Sequence, residues 1–159
     1  VKKPLFLTLM LLMLLMLAGC KENLEARTEY FDKKHVDFLS DYGWRIDRFG
    51  SEMKYAPRTM AAFPEHLSIV KAEGHVDLAA YSDKEVIETG YILKEQTDRY
   101  NQIVGYIFES EGKIIGSYLE FNQEITDSNG TVRVERGETT PLLRKAEVDE
   151  ERLWGQITL

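Results

Sequence analysis

Apolar residues fall into three regimes along the 159 residues of the chain. From Leu5 to Ala18 they form a nearly unbroken run, interrupted by Thr8. Between residues 25 and 42, "EARTEYFDKKHVDFLSDY", Phe31, His35, Phe38, Leu39 and Tyr42 recur every three or four positions after Leu24, which is the spacing of an amphipathic helix. Acids come early in this segment and Lys33 and Lys34 later, as the helix dipole prefers, and Gly43 supplies a stop. From residue 86 onward the pattern changes to short runs of branched and aromatic residues separated by polar breaks, "VIETGYILK" (86 to 94), "IVGYIFE" (103 to 109) and "KIIGSYLEF" (113 to 121), which reads as strands. A fourth, "TVRVER", follows Asn129-Gly130, a favourable hairpin turn.

Two weaker signals lie between these regimes. Alternation from Trp44 to Phe49 predicts a short first strand, and the connection from 50 to 62 has room for another around Glu52 to Tyr55. Pro64 opens and Gly74 closes a short second helix over residues 64 to 73. The predicted fold is α+β, with two N-terminal helices packed on an antiparallel meander of three to four strands. Residues 26–136 form that domain, and the tail 137–159 offers only Trp154, Ile157 and Leu159 as late apolar anchors.

Each central strand contains a glycine, which weakens a strand and therefore needs a reason. A two-residue turn at Glu111-Gly112 places Gly105 opposite Tyr118 and Ile107 opposite Gly116, with Tyr106, Phe108, Ile115 and Leu119 on the buried face. Gly90, Gly105, Gly116 and Tyr118 are thus candidates either for bending the sheet, with Tyr118 covering bare backbone, or for lining a shallow groove where a ligand or partner approaches.

The leader changes the picture most. Its apolar run of about 14 residues follows Lys2 and Lys3 and falls short of the roughly 18 that a spanning helix needs, so residues 1–19 read as a signal peptide. Leu17-Ala18-Gly19-Cys20 resembles the lipobox of bacterial lipoproteins. The resemblance implies that Cys20, the only cysteine, carries a lipid that holds the protein to the outer face of the cell membrane, with residues 20–25 as a short tether. Without residues 1–19, 18 basic side chains face 27 acidic ones, a formal charge of -9, which disfavours nucleic acid as a partner.

"FLSDYGW" (38 to 44), "VDLAAYSDKEV" (76 to 86) and "EGKIIGSYLE" (111 to 120), in this order, resemble an uncharacterised lipoprotein family of spore-forming Firmicutes, domain of unknown function 4830. The resemblance covers roughly residues 35 to 121 and implies a Gram-positive envelope, without an activity. No phosphate-binding loop, dinucleotide fingerprint or nucleophile elbow is present, so no cofactor and no catalytic residue is assigned. His35 falls on an apolar stripe and reads as structural, and no pair among His35, His66 and His75 has metal-protease spacing, so no metal site is expected. The leading expectation is an envelope-tethered interaction module that binds another envelope protein or a wall component. The alternative is a small hydrolase using a carboxylate pair, drawn from acids such as Glu109, Glu111 and Glu120 around the central hairpin. Metabolic labelling with a fatty-acid analogue is expected to mark the wild-type protein and to lose the mark in Cys20→Ser; label retained in the variant would contradict lipidation at this residue.

Overall fold

The computed structural model describes residues 31–148. Cys20, the leader, the tether and the anchors Trp154, Ile157 and Leu159 lie outside the described residues. Helix α1 (Lys33–Asp41) starts where the side chain of Asp32 accepts the Lys34 amide at 2.8 Å, a helix N-cap. It ends at Gly43, whose φ of +86° few other residues adopt. Strand β1 (Ile46–Tyr55) follows, then a 3-10 turn (Met60–Ala62), helix α2 (Pro64–Ala72) with proline at its first turn, and a second 3-10 turn (Ala79–Tyr81). Strands β2 (Val86–Leu93), β3 (Gln102–Ser110), β4 (Lys113–Thr126) and β5 (Val132–Pro141) complete one antiparallel sheet in sequential order, β1 to β5.

This corrects the expected architecture. The sheet has five strands rather than three to four, and β1 precedes α2, so the two helices do not form an N-terminal pair. β1 is one strand of ten residues where the sequence suggests two short ones. Register shifts between Ile46 and Arg48 and between Phe49 and Ser51 break its alternation, and as an edge strand it buries only Tyr55 fully. The periodic signal that marks an inner strand is therefore absent. β5 also runs through Gly137 to Pro141, inside the segment read as tail.

The helices cover opposite faces of the sheet. Against α1, Leu39 joins Tyr91, Leu93, Ile103, Ile107, Leu119 and Phe121. Against α2 and the turns around it, Val70, Met60, Val76 and Leu78 join Tyr55, Val86, Phe108 and Tyr118. Inner strands buried on both sides explain why residues 103–109 carry almost no polar alternation.

The central hairpin turns at Glu111-Gly112, with φ values of 52° and 74° and Ser110 opposite Lys113. Beyond Glu109 the register departs from strict alternation. An extra residue on β4, at Ile115, makes Phe108 pair with Gly116, Ile107 with Ser117, Tyr106 with Tyr118 and Gly105 with Leu119, one position away from the predicted pairs. The bulge brings Tyr118 to the α2 face beside Phe108 and moves Leu119 to the α1 face, so the predicted single buried set is split between two cores. Tyr106 and Tyr118 stack with centroids 4.7 Å apart, and the Tyr106 ring rather than Tyr118 covers a bare glycine, Gly90.

A Cβ at Gly116 would stand 2.4 Å from Cγ1 of the buried Val76. Gly116→Ala is expected to destabilise the fold by about 1–3 kcal/mol, as overpacking does. Denaturant unfolding of the variant checks this, and unchanged stability would show that the Val76 contact yields freely.

Candidate functional site

The sheet presents one buried or half-buried glutamate to each helix, and each meets a helical histidine. On the α2 face the acid is Glu88, in the inward phase of β2 between Val86 and Gly90. Its Oε2 accepts the Tyr55 hydroxyl of β1 at 2.7 Å, and its Oε1 accepts the Tyr118 hydroxyl of β4 at 2.9 Å. His66 of α2 directs Nε2 at both oxygens, 3.0 and 2.9 Å away. The cluster thus joins β1, β2, β4 and α2 through a single carboxylate. Burial, reinforced by Glu88, pushes the Tyr55 and Tyr118 hydroxyls far above the ordinary tyrosine range, so both remain protonated donors. The hydrogen bond to Glu88 raises the His66 pKa in spite of partial desolvation.

On the α1 face, Glu109 of β3 accepts Nε2 of His35 at 2.8 Å, and the other ring nitrogen of His35 lies 2.8 Å from the hydroxyl of Tyr91. Burial raises the Tyr91 pKa to about 12. Lys34 binds the second oxygen of Glu109 and also donates to the Gly112 carbonyl at 3.1 Å, tying the start of α1 to the hairpin turn. His35, read from the sequence as structural, is buried and holds the helix down. The other hairpin acids are also paired with cations, Glu111 with Lys84 at 2.9 Å and Glu120 with Arg136 at 2.8 Å.

The three strand glycines do not share a face. Gly105 looks towards α1, where a Cβ would make ordinary contacts with Leu39 and Leu93 at 3.4 and 3.5 Å. Gly90 and Gly116 look the other way, under Tyr106 and Val76. Tyr118 is fully buried, its hydroxyl committed to Glu88. Only Gly116 borders a cleft.

That cleft arises where the ladder stops. β5 pairs with β4 from Thr126 to Tyr118 and ends at Pro141, which has no N–H to continue it. Along its far side, the stretch of β4 from Lys113 to Ser117 has no strand neighbour among the described residues. This edge lies in an open groove of about 440 Å³. Phe38 of α1 and Tyr42, the residue that caps its end, form one wall, Gly74 to Asp77 the other, and Leu142 one end. Gly74 permits the second wall to sit close, since a Cβ there would meet the Val70 carbonyl at 2.7 Å and the Tyr118 side chain at 2.9 Å.

Sequence reading misses the Glu88 cluster, whose partners lie 22 to 33 residues away along the chain. The available signal is an acid in the inward phase of an apolar strand. Comparison of the chain with protein families, curated proteins and solved structures returns no match.

The Glu88 cluster predicts two outcomes. Glu88→Ala leaves Tyr55, Tyr118 and His66 without their acceptor and is expected to cost about 3–5 kcal/mol in unfolding free energy. Because His66 has a folded pKa above its unfolded value, its contribution is fully present below the unfolded pKa and is lost as pH rises through the folded one. The stability gap between wild type and His66→Gln is thus expected to be wider at about pH 6 than at about pH 9. Urea unfolding at both pH values measures the gap, and a gap independent of pH would contradict the charged His66–Glu88 contact.

Proposed function

We propose that the protein is an interaction module of the bacterial cell envelope, held at the outer face of the membrane by a lipid on Cys20, and that it captures an extended segment of another envelope protein along β4. The membrane address rests on the lipobox, and the Gram-positive envelope on the short motifs similar to domain of unknown function 4830. The observation that carries the binding mode is the edge from Lys113 to Ser117, which has no strand partner among the described residues along its far side and lies in an open groove with apolar and polar walls.

Exposed strand edges invite unwanted pairing, and proteins usually cover or charge them. Here the edge is flanked by Phe38 and Tyr42 on one side and by Val76 with the polar His75 and Asp77 on the other, with the charged Lys113 at its outer end. An incoming strand would find backbone donors and acceptors along β4, and its alternate side chains would fall against the two walls, as in β-strand addition. The paired state of Glu109, Glu111 and Glu120 gives the hydrolase alternative no comparable support.

A photo-crosslinking residue at Ser117, compared in intact cells with one at the exposed Arg133 on β5, tests the reading. The same envelope protein is expected as an adduct from position 117 and not from 133, with lower yield when Cys20→Ser removes the anchor. Equal adducts from the two positions, or none at 117, would contradict it.

A further inference from the structure

The first turn of α1 brings a distinct set of donors to the other face of the sheet. Asp32 caps the helix and His35 follows three residues later, a spacing that sets both on one side of a helical turn. Glu109 reaches the same point from β3. One donor atom from each of the three lies within 4.8 Å of the others.

We propose that Asp32, His35 and Glu109 form a binding site for a divalent transition-metal ion of the zinc class. An imidazole with two carboxylates is a donor set that such ions accept, with water completing the coordination. Calcium, which takes six to eight oxygens, matches it poorly. The ring of His35 is already held for the task, because the Tyr91 hydroxyl at Nδ1 aims Nε2 at Glu109, and metal-ligating histidines depend on such an outer partner. Asp32 is exposed and gives the ion an approach from solvent, while His35 and Glu109 anchor the inner side.

The competitor is Lys34. Its ammonium rests on Glu109 and supplies the positive charge that a metal would bring. It sits at the end of a flexible stem with 41 % of the side chain exposed, so it can move into solvent when an ion enters. This competition separates a metal site from a merely structural cluster. Removing Lys34 weakens an ion-pair network but strengthens a metal site.

Calorimetric titration of the protein with zinc chloride tests the proposal, with cobalt(II) absorption as a readout of ligand geometry. One ion per chain is expected for the wild type. Asp32→Asn retains a capping oxygen but loses the charge and is expected to bind at least about tenfold more weakly, while circular dichroism reports an intact fold. Lys34→Ala is expected to bind several-fold more tightly than wild type. Absence of binding in Lys34→Ala, or an affinity in Asp32→Asn equal to that of wild type, as for an ion held by His66 or His75, would overturn the assignment.

Discussion

A buried carboxylate is costly unless every lone pair finds a donor, and at Glu88 that requirement organises the α2 half of the molecule. Tyr55 has to come from β1, Tyr118 from β4 and His66 from α2 for the charge to be met, so the contacts that satisfy one side chain also fix the placement of three elements. Apolar packing among Val70, Val76, Phe108 and Tyr118 drives burial but is non-directional. The hydrogen bonds select one orientation of α2 on the sheet. On the opposite face His35 and Glu109 do the same for α1, with Tyr91 in the role of the sheet tyrosine.

With a helix on either side, the faces of the inner strands are closed to partners, and the sheet can offer only its edges. Each edge is managed differently. β1 carries two bulges and charged side chains, and the distal part of β4 and β5 is an exposed ribbon rich in Arg and Glu. Between Lys113 and Ser117 the edge carries the bulge at Ile115 and a charge at Lys113, and no strand among the described residues covers it. The α2 side of that groove, Gly74 to Asp77, follows directly from the helix that His66 anchors. The groove therefore depends on the buried Glu88 cluster through a short covalent path.

Much of the architecture was legible where local chemistry decides it. The α1 stripe with Gly43, the proline start of α2 and the Glu111-Gly112 turn each follow from one or two residues whose preferences are strong. What depends on pairing across the chain was not legible. The extra residue at Ile115 leaves no mark in a run of Lys-Ile-Ile-Gly-Ser, yet it shifts each later pair of β3 and β4 by one position and divides the apolar residues between two cores. β1 reads in the sequence as two short strands because Gly50 and the bulges interrupt its period, and its place beside β2 in the sheet depends on pairing that local sequence does not show. Glu88 and Glu109 are two of 27 acids in the sequence, and beyond the inward phase of Glu88 the fold is what separates them from the solvated ones. Of the candidate groove residues only Gly116 lines this groove, and Pro141, the ladder terminator at its end, has a partner that local sequence does not show.

If Glu88 fixes α2 to the sheet, the two must share one opening reaction. Native-state hydrogen exchange of the Leu67 to Val70 amides and of the β3 and β4 amides measures this directly. In the wild-type protein both sets are expected to open with the same free energy, and in Glu88→Ala the α2 set is expected to open separately, at lower free energy than the sheet. Loss of protection by the same amount in both sets, with α2 still opening together with β3 and β4, would contradict the role given to this carboxylate.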